Sequence, residues 1–371
     1  MIPSRPTTAT PAVGVACRVA PDKRTPTGGD DPTRTASSPR EDFAELAGLV
    51  RERGLLERRR GYYVVTIGAT VGALVALLAT AVVVGDSWWN LFVAAGLGAV
   101  LAQLAFIGHD AGHRQICARR RDNDLIGLVV ADLLAGISFG WWLSKHNRHH
   151  AHTNQPGRDP DVAPGVLVYS AAQAGERGRV GRFVARGQAF LVGPLLLLEA
   201  LNLQVASVRS LLGRRDRAGL VEAALVIAHG AVFFAAPFFV LSPVRAVAFI
   251  GVTQGLFGFY LGATFLPNHV GMPTVSGADG LGFLRRQVLT SRNLTGHAWS
   301  AFVFGGLDSQ IEHHLFPAMP RANLRRSRKL VRTFCDDHRI HYAELSLHEA
   351  YGDVLRHLRA AGLGRTTLVL D

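Results

Sequence analysis

The chain has 371 residues, 48% of them hydrophobic and 18% charged, with a formal net charge of +12 at pH 7. Its mean hydropathy of +0.18 is high for so charged a protein, and the arginines fall in blocks between apolar runs rather than on one soluble domain, which argues against nucleic acid as the partner. Three isolated cysteines, Cys17, Cys117 and Cys335, supply neither a disulfide framework nor a CxxC metal site.

Residues 1–40 are rich in Pro, Thr, Ser and Arg, without apolar periodicity and without the continuous apolar core of a signal peptide, and read as a disordered tail. Four apolar runs of roughly 20 residues follow, Tyr62–Val84, Asn90–Ile107, Val221–Leu241 and Ala246–Leu266, with Glu222 as their one charge. That length crosses a hydrocarbon core. Arg51, Arg53 and Arg58 to Arg60 precede the first run, Arg114 and Arg119 to Arg121 follow the second, Arg214, Arg215 and Arg217 precede the third, and Arg285 and Arg286 follow the fourth. The link Gly85–Trp89 has no Lys or Arg, and the other outer link has only Arg245. Positive flanks stay cytoplasmic, so two hairpins with both termini inside are expected.

Two further runs are ambiguous: Leu125–Leu143 contains Asp132, and Phe190–Leu212 contains Glu199 and Arg209. The expected fold is an all-α integral membrane protein with four transmembrane helices in two hairpins, interfacial or re-entrant helices, and a cytoplasmic helical cap. The expected division is the tail (1–40), a membrane domain (41–335) and a cytoplasmic C-terminal helical tail (336–371).

Histidines gather at matching places. "HDAGH" sets His109 and His113 at i and i+4 just past the second run, "HNRHHAHTN" sets His146, His149 and His150 at i, i+3 and i+4, and "QIEHH" sets Gln310, His313 and His314 at the same spacing. Residues at these separations share one helix face, about 5–6 Å apart. All three clusters fall on the predicted cytoplasmic side. A tetrahedral zinc site needs four ligands, or three and water, so seven imidazoles point to two metals. A zinc-protease HExxH is disfavoured because Asp110 stands where its Glu base would be. Imidazole accepts Zn, Cu, Fe or Ni, and spacing does not choose among them.

The boxes HDAGH, HNRHHAHTN and QIEHHLFP, in this order over about residues 60–335 and with the context GGLDSQIEHHLFP, resemble the membrane fatty-acid desaturase family, in its front-end and acyl-lipid branch. The resemblance implies a non-haem di-iron centre ligated by His109, His113, His146, His149, His150, His313 and His314. His269 in PNHVG resembles an extra ligand found between the second and third boxes, where Pro267 is expected to turn the chain just past the fourth run. Gln310 stands where many relatives carry histidine. Gln310, Asn268, His152, His297, Asp110 and Glu312 are expected around the ligands or at the nearby surface. His229, inside the third run, is expected to bond a neighbouring helix.

If Leu125–Leu143 crossed the bilayer, the first and second boxes would lie on opposite faces, so that run is expected to be re-entrant or interfacial, as is Phe190–Leu212. The resemblance further implies a cis double bond introduced into a fatty acyl-CoA or acyl-lipid, with O2 and two electrons consumed. The sequence has no GxGxxG fingerprint, CxxC motif or HPGG haem segment, so an external donor is expected: ferredoxin or a cytochrome b5-like carrier with its NAD(P)H reductase, docked on an arginine-rich inner face that includes Arg321, Arg325, Arg326 and Arg328. Membrane lipids are expected neighbours, in a bacterial-type inner or plasma membrane with a cytoplasmic active site. The nearest rival is a di-iron hydroxylase on the same scaffold. A metal-transport protein would want ionisable groups inside the spans, where only His229 sits.

Overall fold

The computed structural model describes residues 39–275, 281–297, 299–365 and 369–370. The tail expected over 1–40 lies outside the described residues except for its last two, which open α1 (Pro39–Glu52). α2 (Arg60–Val84) begins at the end of an arginine block, and only Tyr63 and Thr70 are buried along its 25 residues. Val64, Val65 and Val83 are 72%, 70% and 86% exposed, an apolar surface suited to hydrocarbon and not to water. α3 (Asn90–Gly112) folds back on it. The Asn90 amide clasps this turn by donating to the Ala81 and Gly85 carbonyls, alongside the backbone amides of Gly85 and Ser87 that those carbonyls also accept.

α4 (Arg120–Gly127) passes into a π-helical turn, Leu128–Leu134, and α5 (Phe139–Ala151) leaves it at a bend of 111°. Carboxylates hold that bend. Asp132 accepts from the Phe139 amide, and Glu222 accepts from the Ser138 hydroxyl, the Gly140 amide and Arg214. The first amides of a helix lack partners of their own, and Asp132 and Glu222, the acidic residues of two apolar runs, meet them here.

α6 (Ala171–Gly175) precedes α7 (Arg179–Leu196) and α8 (Glu199–Leu212), and the latter pair is bent by 82°. Glu199 stands in the first turn of α8 and Arg209 in its last, which suits the helix dipole. α9 (Arg217–Ala235) runs on as a 3-10 turn, Ala236–Phe239, and α10 (Pro243–His269) follows. Among the described residues four segments are long and apolar enough to cross a membrane: Arg60–Val84, Asn90–Gly112, Arg217–Phe239 and Pro243–His269. α3 and α10 cross closely at Gly98, where a Cβ would stand 2.9 Å from the Thr253 carbonyl oxygen.

Pro267 does not turn the chain as expected; it lies inside α10, which continues to His269. A proline in a helix leaves the carbonyl four residues earlier without its N–H. That carbonyl belongs to Ala263, and the Tyr351 hydroxyl donates to it.

α11 (Phe283–Leu289), α12 (Ser300–Val303), α13 (Gln310–Leu315), α14 (Arg321–Asp337) and α15 (Leu347–Gly362) complete the helices. Asn293–Leu294 pairs in parallel with Glu344–Leu345, and Thr274–Val275 with Val369–Leu370. Leu46 and Val50 of α1 share a core with Leu284, Ile311, Leu324 and Phe334. A second core joins Tyr63, Leu104 and Ile107 to Phe257 and Leu261. Val354 and Leu358 of α15 pack with Val192 of α7 and Leu266 of α10.

Candidate metal centre

Four helices deliver the imidazoles to one place. α3 carries His109 and is capped by His113, α5 carries His146, His149 and His150, α10 ends at His269, and α13 carries His313 and His314. Ligand nitrogens of His109, His113, His146 and His313 all lie within 4.8 Å of one another, as do those of His149, His269 and His314. His150 stands between the two groups, its ring 4.7 Å from His113 on one side and 4.2 Å from His314 on the other. Its Nε2 is 3.0 Å from Nε2 of His146 and 3.1 Å from Nε2 of His313.

That crowding fits a cation. A neutral imidazole has one donor and one acceptor nitrogen, so three converging Nε2 atoms cannot be mutually satisfied by protons alone. Nε2 of His109, His113 and His314 is buried with no hydrogen-bond partner, an arrangement that is unfavourable unless something else binds there. Burial first, and neighbouring imidazoles second, hold His313 and His314 well below the ordinary histidine range. Both are therefore neutral near pH 7, the form that ligates metal.

The opposite ring nitrogens are tied down, which aims Nε2 inward. His149 Nδ1 is 3.0 Å from both Asp159 oxygens, His269 Nδ1 is 3.1 Å from the Thr290 carbonyl, and His314 Nδ1 is 3.0 Å from Gln287 Oε1. Gln287 also donates to the His150 carbonyl, so it links the second box to the third. Trp142 stacks on His146 with ring centroids 4.6 Å apart. His149, Asp159 and Asp161 form a third grouping, the one among the three that contains carboxylates, but it engages the Nδ1 side of His149, away from the other imidazoles.

Of the residues expected around the ligands, Asp110 lies 3.4 Å from His109 Nδ1. The Gln310 amide nitrogen is 2.9 Å from His269 Nε2, and its oxygen accepts from Asn268. Glu312 is turned away, bonded to Asn293 and Tyr342, and burial raises its pKa. His152 turns to Gln155, and His297 is exposed. His229 bonds the Leu133 carbonyl, 3.1 Å away.

The arginine face is less open than expected. Arg321 is 2% exposed and pairs with Asp110 at 2.8 Å, while Arg328 is spent on Ser309, Asp308 and Glu344. Both were read as surface because α14 is so basic; its hydrophobic side brings them inward. Asp159, Gln287 and Thr290 were missed, since they lie in loops or another helix with no spacing relation to the boxes. Thr153 was findable at i+4 from His149; its hydroxyl lies 3.2 Å from His314 Nδ1.

The fatty acid desaturase family model matches residues 86–346. The chain is 28% identical over 87% of its length to a Delta(8)-fatty-acid desaturase of Helianthus annuus, covering 73% of that protein. It is 28% identical over 86% of its length to an acyl-lipid (9-3)-desaturase of Physcomitrium patens, covering 62% of it. Against a Delta 8-(E)-sphingolipid desaturase of Kluyveromyces lactis it is 32% identical over 73% of its length, spanning about half of that relative (51%). Its histidine clusters are compatible with a non-haem iron site. Its apolar helices mark it as a membrane protein, and the chain belongs to the fatty acid desaturase family and is an enzyme of that kind.

Proposed function

We propose that this protein introduces a cis double bond into an acyl chain at a centre of two iron ions held by His109, His113, His146, His149, His150, His269, His313 and His314. The convergence of these imidazoles, with buried nitrogens left without protein partners, carries the reading. When bound, the metal pair supplies what no side chain can, the activation of dioxygen with two external electrons to remove hydrogen from an unactivated methylene.

The chain's own residues position and enclose. Asp159, Thr290 and Gln287 fix the ring orientation of His149, His269 and His314. A narrow apolar pocket of about 40 Å³ lies against His109, lined by Phe106, Ile137, Trp142, Leu261 and Phe265 among others. Such a lining excludes water and accepts methylenes, and the register of the chain along it would set where the double bond forms. The names of the relatives support an acyl-lipid or sphingolipid substrate, with acyl-CoA as the alternative carrier.

The electron donor is a ferredoxin or a cytochrome b5-like protein with its reductase. In orientation, the arginine flanks support cytoplasmic termini and a cytoplasmic centre, with residues 41–335 as the membrane domain and 336–371 as its C-terminal segment. Expression in a host that supplies such donors, followed by lipid profiling, tests the activity. A new cis double bond dependent on iron and oxygen is expected; a product carrying an added hydroxyl, or unchanged profiles from metal-loaded protein, would overturn the reading.

A further inference from the structure

A second cleft opens beside the centre. Tyr62 and Thr66, from the first two turns of α2, face Phe302 of α12 and Arg321, Arg325 and Arg326 of α14 across about 540 Å³. Three of the lining residues are arginine and none is acidic. Nη2 of the buried Arg321 meets the Asp110 carboxylate, but its Nε and Nη1 have no hydrogen-bond partner. A guanidinium presents five donors in a planar fork, and here part of that fork is buried and unmet at the cleft. Asp308 lies behind the cleft, 3.6 Å from Arg325 and 3.3 Å from Arg328. Asp110 and Asp308 thus offset part of the charge, and Arg325 donates to the His297 and Gly296 carbonyls and to Ser300; the exposed Arg326, with the unmet donors of Arg321 buried behind it, remains for an anion.

The cleft adjoins the apolar pocket. The Arg321 guanidinium carbon stands 5.9 Å from the centre of the Phe106 ring, and Phe106 lines the pocket against His109. One aromatic side chain therefore separates a cationic cleft from an apolar space at a box histidine. The cleft's other wall is the start of α2, whose outward residues are apolar and exposed.

We propose that this cleft binds the phosphate of the substrate's head group, with the acyl chain passing Phe106 into the pocket beside His109. The planar fork of arginine matches phosphate oxygens in pairs, and Tyr62 and Phe302 would flank the first carbons of the chain. The assignment rests on the desaturase reading. A glycerophospholipid and an acyl-CoA share this phosphate chemistry.

The test is equilibrium binding by the purified full-length protein in neutral detergent. The probes are dioctanoyl phosphatidic acid, octanoyl-CoA and uncharged dioctanoylglycerol. Arg326→Gln is expected to weaken a phosphate probe about tenfold, as loss of one charge-assisted contact does, and Arg326→Glu more so. Dioctanoylglycerol should bind unchanged, and Lys329→Gln, an exposed charge further along α14, should change nothing. Whichever phosphate probe weakens identifies the source of the head group. Unchanged binding of both phosphate probes, or an equal loss in Lys329→Gln, would overturn the assignment. Binding is read without turnover, so a protein that binds as described yet forms no double bond would count against the function and not against the cleft.

Discussion

Asp159 is the most exacting place to perturb the centre, because its carboxylate does two separable things. Both oxygens lie 3.0 Å from His149 Nδ1, and they also accept the backbone amides of Asn154 at 2.8 Å and Asp161 at 2.9 Å. Asp159→Ala removes the partner that orients a ligand, a change that typically weakens metal binding about 10- to 100-fold, or about 1.4–2.7 kcal/mol at 1.36 kcal/mol per tenfold. It also strips two amides of a charged acceptor, at about 1.5–3 kcal/mol each as an upper range. Asp159→Asn keeps one acceptor oxygen and should lose much less of both. The assay is iron retained against graded chelator, with a thermal melt on the same samples. Asp159→Ala should release iron at a 10- to 100-fold lower chelator concentration and melt lower. If it melts lower yet holds iron as tightly as the parent, Asp159 only staples the loop and the orienting role is refuted.

His269→Ala should deplete iron as severely as His313→Ala, whereas His297→Ala and His229→Ala should keep nearly all of it, since one is exposed and the other bonds Leu133; metal analysis of the purified variants decides. Tyr351→Phe leaves the Ala263 carbonyl without its donor and should lower stability by about 1 kcal/mol, read in a thermal melt; an unchanged melt would mean the proline gap in α10 needs no filling. For pH, His313 and His314 are held below their unfolded values, so the unfolded chain binds protons first on acidification. The stability of the metal-free protein should be full above about pH 6.5 and fall below it, and a melting temperature flat from pH 7.5 to 5 would contradict this. For orientation, a thiol at the exposed Arg158, introduced as Arg158→Cys with Cys17 and Cys117 replaced, should react with an impermeant reagent only from the cytoplasmic side; reaction from outside would reverse the proposed topology. Arg158 serves better than its neighbour Gly157, whose φ of +78° disfavours a side chain.

The box histidines were legible in the sequence because each box is local: i, i+3 and i+4 spacing fixes which imidazoles share a face before any tertiary contact is known. The apolar spans were legible by length alone. The interior of the two ambiguous runs was not, since a period of apolar residues does not say where a helix breaks. There the deciding contacts are long-range ones, such as Glu222 reaching Ser138 and Gly140. The course of α10 past Pro267 likewise involves a hydroxyl from Tyr351, 88 positions away from the Ala263 carbonyl it reaches. Asp159 and Gln287 lay beyond reading for the same reason, and Arg321 was misplaced because its partner, Asp110, sits inside the first box.

If the eight imidazoles form one centre for two metal ions, the stoichiometry of bound metal follows. It is read as metal content per chain, by mass spectrometry of protein purified from iron-replete cells. Two irons per chain are predicted for the parent, and His150→Ala, which removes the ring standing between the two groups, should lose both. A single tightly bound ion per chain that survives in His150→Ala would contradict the two-metal centre.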